Sequence, residues 1–564
     1  MALEEALLPF PRENFDIARQ GGSALTMDML SPDLQTIASN HIHVWEYLQA
    51  LPIAEIGVPA YYPKLSRKMK KMRVRNLIYP TTNEEVFIHI YPDPKSERDY
   101  YIPIEPGLTS TLLDSMSKIE NKLLDYAEEI GKSLEEDRDV AFTHALDKIC
   151  NTTPGARTNG RIAIDGRNLN AIKYLTIRNK MGLGVLQPLL GDEYIEDISC
   201  SGVGRMFIEH KIFKSLKSSV YFQSHDDLDD FVVQMGERIK KPVTLRSPIV
   251  DATLPDGSRI NIVYGRDITR RGSNFTIRKF AEDTISVLDL IEFGSMNYMI
   301  AAYLWLAMED DANVFVVGPT ASGKTTLINA LTTFIRPDAK IVTIEDTPEL
   351  KVPHHNWIRE VVRNMGKTEK NSGVDMFDLL KAALRQRPDL IMIGEIRGAE
   401  GNIAFQAMQT GHPVMATFHA SSVEKTIQRL TGDPINVPKV NIDNLDLIVI
   451  QTAVRGPDGS TVRRITSVNE IVSYDSTDNA FSFVTAFRWK PEDDTFEFPG
   501  NMNSYLLEQK IAPKRGIPES KARTIYTELR KRAAILEKLH KRGGVNGFDK
   551  LFAVIAEAYK QGLV

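Results

Sequence analysis

Residues Gly318-Pro319-Thr320-Ala321-Ser322-Gly323-Lys324-Thr325 satisfy the pattern G-x-x-x-x-G-K-[ST] at every fixed position. The apolar run Asn313-Val314-Phe315-Val316-Val317 precedes them and reads as a buried strand. Thr326-Leu327-Ile328-Asn329-Ala330-Leu331 follows, with apolar residues at helical spacing. A strand that turns through a glycine-bearing loop into a helix restricts the surrounding fold to an α/β arrangement. It also restricts the chemistry. The glycines let the backbone curl so that its amides point inward at a helix N-terminus, where the helix dipole favours an anion. In such a loop Lys324 reaches the β and γ phosphates of a nucleotide, and the Thr325 hydroxyl binds Mg²⁺. Gly318 through Thr325, together with Thr326, form the candidate nucleotide-contacting set.

The other properties of the chain narrow the class. At 564 residues it is too long for one ordinary core, and a quarter of it is charged, as in globular proteins. The formal net charge of −5 gives no support to a nucleic-acid binder. Two cysteines, Cys150 and Cys200, without a C-x-x-C, argue against a disulfide framework and for a reducing compartment. The N-terminus carries Glu4 and Glu5 where a secretory leader would be basic, and no stretch approaches the ~20 apolar residues of a bilayer span. A cytosolic protein with peripheral membrane contact is expected.

Along the chain, residues 1–100 are mixed and Pro-rich, with a basic run from Lys64 to Arg75. A helix is expected over Leu108–Ile130, with Leu112, Leu113, Met116, Ile119, Leu123 and Leu124 tending to one face. Short alternating stretches at Arg205–Glu209, Ile260–Tyr264 and Phe275–Arg278, with a helix at Leu228–Ile239, indicate an α+β domain over 101–282. A connection over 283–296 leads to an α/β domain, 297–500. There strands at Val314–Val317, Ile341–Ile344, Leu390–Ile393 and Val414–Thr417 alternate with helices, which predicts a largely parallel sheet. A charged helical region, 501–564, closes the chain.

Three further clusters carry chemistry. Thr343-Ile344-Glu345-Asp346-Thr347-Pro348-Glu349 ends a strand where parallel sheets place ligands. Glu345 reads either as a carboxylate that directs the attacking water or as a solvated turn residue. Leu390-Ile391-Met392-Ile393-Gly394-Glu395 delivers Glu395 to the sheet edge beside the loop, the Walker B arrangement in which an acid supports Mg²⁺ through water. His412 and His419 flank a strand; without a third ligand at metal-site spacing, a γ-phosphate contact is the better functional reading than a metal.

These four ordered motifs resemble the secretion ATPase superfamily of type II secretion, type IV pilus and type IV secretion systems. The resemblance implies a RecA-like P-loop NTPase domain with a separate α+β N-terminal domain, ATP and Mg²⁺ as ligands, and a homo-hexamer. It also implies Glu345 as catalytic base, Glu395 as the Mg²⁺-associated acid and His419 as γ-phosphate sensor. Leu254-Pro255-Asp256-Gly257-Ser258-Arg259-Ile260-Asn261 looks like the family's signature before the linker. Arg259, Arg278 and Arg270 or Arg271 are candidates to reach a neighbouring subunit's nucleotide, or are surface arginines on a strand rim. Arg385-Gln386-Arg387-Pro388-Asp389 and Pro353-His354-His355-Asn356-Trp357 are similar to the archaeal branch, and within that branch the C-terminal stretch from Ser467 is similar to the archaellum motor ATPase. That branch implies a polytopic membrane platform protein and archaellum accessory proteins as partners, at the inner face of the cytoplasmic membrane, with archaeal pilus and secretion ATPases sharing most of the motifs. The run Lys64, Arg67, Lys68, Lys70, Lys71, Arg73 and Arg75 reads as a solvated face or as a surface for anionic lipid; no nucleic-acid partner is expected.

Overall fold

A computed structural model describes the chain except for residues 1–6, 12, 21, 24, 108–109, 129–137, 153–160, 281–283, 364–372, 457–458, 460 and 563–564. It divides into two compact units, Met1–Glu282 and Asp283–Val564.

The first unit is built on a ten-stranded, mainly antiparallel sheet. Leu77–Pro80, Phe87–Tyr91 and Tyr100–Ile104 alternate strictly. Leu77, Tyr79, Ile88, Ile90 and Tyr101 enter the core beneath helix His225–Arg238, whereas Ile78, Phe87, Tyr91, Ile102 and Ile104 pack with helices Pro32–Asn40 and Ile42–Ala50. This is the period of two expected for strands covered on both faces. Tyr100–Ile104 pairs with Phe87–Tyr91 on one side and Lys214–Phe222 on the other, so one sheet runs across the boundary expected at residue 100. At the far edge lie Asn274–Arg278, Arg259–Val263 and Ile249–Thr253, which bury Phe275, Ile277, Ile260 and Ile262 on one face. The helix expected over Leu108–Ile130 is observed at Ser110–Leu123. Ile119 and Leu123 are buried but Leu124 is exposed, since the chain tightens there into a 3₁₀ turn; the ends of the expected range, 108–109 and 129–130, lie outside the described residues.

The second unit meets the expectation of a RecA-like α/β core. Six strands lie parallel in the order Trp357–Val361, Ile341–Glu345, Leu390–Ile396, Val414–Phe418, Val314–Val317, Leu447–Arg455, and three antiparallel strands, Thr461–Asp475, Ala480–Lys490 and Thr495–Glu497, extend the sheet. Successive residues go to opposite faces: Val314 and Val316 to one core, Phe315 and Val317 to the other. The expected connection 283–296 is not simply a linker. It contains helix Val287–Glu292, capped by Ser286 Oγ accepting from the Asp289 amide at 3.2 Å, and its Val287, Leu288 and Leu290 are buried in the second unit's core. The C-terminal helices share that core too. Helix Ile525–Arg542 packs on the buried helix Tyr298–Glu309, with the Arg532 guanidinium 4.8 Å from the Trp305 ring centre.

Candidate nucleotide site

Because the central strands are parallel, their C-terminal ends share one sheet edge, and the functional side chains gather there. The loop 318–323 links strand Val314–Val317 to helix Lys324–Leu331. Gly323 closes the loop at φ +93°, a left-handed conformation that a Cβ would strain, and the helix that follows has, like any helix, first-turn amides without intrahelical partners.

Lys324 is buried, and its Nζ donates to the carbonyls of Gly318 and Pro319 at 3.0 Å each. Burial pulls its pKa below the ordinary lysine value, opposed by the charge of Glu395. His419, just past the end of strand Val414–Phe418, bridges the two groups: its Nδ1 is 3.4 Å from Lys324 Nζ and its Nε2 is 2.8 Å from Glu395 Oε1. An ammonium on one ring nitrogen and a carboxylate on the other select the neutral tautomer with its proton on Nε2. Burial, and then the neighbouring Lys324, hold the His419 pKa below its usual value. Strand Val414–Phe418 lies between the Walker B strand and the loop strand, so Glu395 reaches the loop edge one strand away from Lys324. The contact between them runs through His419. Glu395 Oε2 also pairs with Arg397, whose Nη1 lies 3.4 Å from Asp346.

Glu345 is not a solvated turn residue. It is 1 % exposed at the end of its strand. Its Oε1 accepts from the Glu349 and Leu350 amides at 2.7 Å each, while Oε2 has no hydrogen-bond partner. Burial pushes its pKa up to about 7 against those two hydrogen bonds and the charge of Arg359, which lower it. A carboxylate poised near neutrality is suited to general-base work. Gly394 makes this packing possible: a Cβ there would lie 3.2 Å from Glu345 Cγ. The turn that holds Glu345 is tied to the phosphate-loop helix, because Asn329 Nδ2 donates to the Glu349 carbonyl at 3.1 Å and Asn329 Oδ1 accepts from the Lys351 amide at 3.0 Å. Thr325 and Glu395 offer only oxygen donors, which fits a hard cation such as Mg²⁺.

His412 is not brought to this edge. It precedes the strand that His419 follows, and its Nδ1 lies 3.1 Å from Thr410 Oγ1. At ~3.3 Å per strand residue the two histidines are on the order of 20 Å apart. Arg259 and Arg278 are exact cross-strand partners on the exposed face of the first unit's sheet, and Arg270 and Arg271 are exposed in the turn between those strands. Asn329, Arg359 and Arg463, whose Nε donates to the Ala321 carbonyl at 3.1 Å, belong to the site but have no motif to announce them. Arg359 lies on Trp357–Val361, a strand that the sequence pattern does not single out.

Residues 179–482 match the family model described as type II/IV secretion system protein. The chain belongs to this family. An uncharacterized protein of Methanocaldococcus jannaschii, MJ0900, is 40 % identical over 549 residues, covering 95 % of this chain and 98 % of the relative. The type IV secretion system protein VirB11 of Bartonella henselae is 31 % identical over 226 residues, covering 34 % of this chain and 63 % of that protein. Among solved structures, the VirB11 ATPase from the Brucella suis type IV secretion system, in complex with sulphate, matches at 25 % identity, covering 50 % of this chain and 91 % of that one, with a TM-score of 0.26. Family membership, the phosphate loop and the acids at its edge identify the chain as an ATP-hydrolysing enzyme.

Proposed function

We propose that this chain is a hexameric motor ATPase that powers assembly of an archaellum filament at the cytoplasmic membrane, with rotation as a further output. The observation that carries the motor reading is the chain of contacts Lys324–His419–Glu395 at the edge where Glu345 keeps one oxygen unpaired. In this reading the loop residues and Lys324 hold the phosphates of ATP. Thr325 and Glu395 would hold Mg²⁺, which would supply charge neutralisation. Glu345 takes a proton from the attacking water, and His419 reports on the γ-phosphate through Lys324 and Glu395. Arg259 and Arg278, paired and exposed, are offered to a neighbouring subunit. The archaellum assignment rests on the resemblance to the archaeal branch; the uncharacterized Methanocaldococcus relative supports the archaeal affinity alone. Similarity to VirB11 favours a second reading, an ATPase for archaeal type IV pilus assembly or protein secretion.

Among the described residues no helix is long and apolar enough to cross a membrane. The membrane-facing surface in this proposal is the basic run, which forms the 3₁₀ turn Arg67–Lys71 and its flanks. Leu65, Met69 and Met72 anchor the run on the first unit's core and leave Lys64, Lys68, Lys70, Lys71 and Arg73 exposed to anionic lipid; Arg75 is committed internally to Asp99 and the Phe213 carbonyl. A polytopic platform protein and accessory proteins complete the machine.

The test is steady-state ATPase activity against protein concentration, with and without anionic lipid and with and without DNA. A rise in specific activity with concentration and lipid supports the assembling membrane motor. Stimulation by DNA alone moves the assignment to a nucleic-acid motor. Glu345→Gln is expected to bind ATP yet hydrolyse it about 10²–10⁴-fold more slowly, and full turnover in that variant removes Glu345 from the mechanism.

A further inference from the structure

Glu345 is held by only one of its oxygens. The two amides of the following turn take Oε1, and Oε2 is buried with no hydrogen bond. What faces Oε2 is Arg359, its Nε 3.8 Å away, too far for a hydrogen bond and close enough for an ion pair. Arg359 reaches this point because strand Trp357–Val361 runs parallel to the Glu345 strand, with Arg359 in register with Thr343. Trp357 fixes the approach. Its indole Nε1 donates to Thr343 Oγ1 at 2.9 Å, which pins the ring to the Glu345 strand, and the Arg359 guanidinium lies 5.3 Å from the centre of that ring. The arginine side chain remains partly exposed, whereas the carboxylate it faces is buried.

We propose that Arg359 is a positioning residue for Glu345: its guanidinium engages the free Oε2, keeps the carboxylate ionised and holds it aimed as a proton acceptor. The proposal rests on the assignment of Glu345 as the base. It goes beyond the motif residues, since Arg359 comes from an edge strand outside the loop, the Walker B strand and the histidine strand. Among the described residues, the charges that face Glu345 are few. Arg359 faces it from the edge strand and Glu349 from the turn, while the Walker B strand presents Gly394, which has no side chain. Burial and Glu349 favour the neutral acid, and among the described residues Arg359 is the side-chain charge that opposes them. Loss of Arg359 therefore moves the balance toward a protonated, inactive base.

The experiment is kcat against pH for the full-length enzyme and for Arg359→Gln, Arg359→Lys and Glu345→Gln, each confirmed folded by its melting temperature and its ATP affinity. The wild-type acid limb is expected near pH 7. In Arg359→Gln it should move to higher pH by about one unit, and Arg359→Lys, which restores the charge without the planar fork, should bring it back part of the way. An acid limb left in place in Arg359→Gln, or a loss of kcat equal at every pH that Arg359→Lys does not rescue, overturns the proposal. Glu345→Gln separates the two levels. If it retains full turnover, the base assignment fails and the role of Arg359 with it. If it is inactive while the Arg359→Gln limb is unmoved, the role of Arg359 alone fails.

Discussion

Each unit buries more than one carboxylate, and two of them, Asp192 and Glu345, are used differently. Asp192, in the first unit, is 1 % exposed and fully engaged. Its Oδ2 accepts from the Tyr79 and Tyr101 hydroxyls at 2.7 and 2.8 Å, and its Oδ1 from the Tyr194 amide at 2.8 Å. Those bonds join two strands of the sheet to the turn before a third, so the acid works as an internal brace. Glu345, in the second unit, is as deeply buried but spends only one oxygen on the fold. Burial raises the pKa of both. The difference lies in satisfaction: a buried polar atom left without a partner costs about 1–3 kcal/mol, and folds keep few of them without a use. The spare oxygen of Glu345 lies at the strand-end edge where parallel sheets present ligands, whereas the Asp192 carboxylate, in a turn, is enclosed by two strand tyrosines.

That contrast can be broken in several places. The largest effect is expected at Lys324, where replacement by Ala should lower kcat about 10³-fold or more, by analogy with the loss of one transition-state donor. Single-turnover hydrolysis at saturating ATP measures it, and residual activity near wild type would mean that this edge is not the catalytic one. Next is Asp192→Ala, which strands two buried tyrosine hydroxyls and should destabilise the first unit by about 2–4 kcal/mol, read as a lowered denaturant midpoint. A drop in ATP affinity without loss of stability would overturn the brace assignment. Glu345→Gln should act in the opposite direction on stability. The folded-state pKa of Glu345 is raised from 4.5 to about 7, so its stabilising preference for the neutral acid is complete below pH 4.5 and lost as pH rises through about 7. Above that, the ionised group destabilises by up to about 3 kcal/mol. The amide should thus raise stability at pH 8 by about 1–3 kcal/mol and leave it nearly unchanged at pH 4. Equal effects at both values would place the cost elsewhere. The smallest effect is expected at His412, remote from the edge, where Ala should leave kcat within about twofold; a larger loss would mean that it acts on a neighbouring subunit's site.

Much of the second unit was legible because local rules and tertiary packing agree there. Four apolar residues in Val314–Val317 and in Leu390–Ile393 make fully buried strands in any parallel sheet, and a loop with Gly at 318 and 323 can only turn between strand and helix. The arrangement of those strands was not legible. Placing Val414–Phe418 between the Walker B strand and the loop strand is a long-range choice with no local signature, and it is what sets His419 between Lys324 and Glu395. The burial of Glu345 was misjudged in one of its two readings for the same reason: a carboxylate before Asp-Thr-Pro has the composition of a turn, and only the amides of 349 and 350 and the bare Gly394 make a pocket for it. The connection at 283–296 and the terminal helices, set apart by composition, share the second unit's core because their apolar faces find the buried helix Tyr298–Glu309.

The sequence alone determined that a phosphate-binding loop opens a helix in a parallel α/β unit, that two acids and a histidine end strands downstream of it, and that an alternating α+β unit precedes it. Those features are set by spacing along one chain segment, where glycine, β-branching and apolar periodicity act over a few residues. Only the tertiary structure decided which of the end-of-strand groups meet, that His419 lies between a cation and an anion, that His412 is excluded, and that Asn329 and Arg359 belong with Glu345. Strand order and burial arise from contacts between residues far apart in the chain, and the charge states follow from that burial.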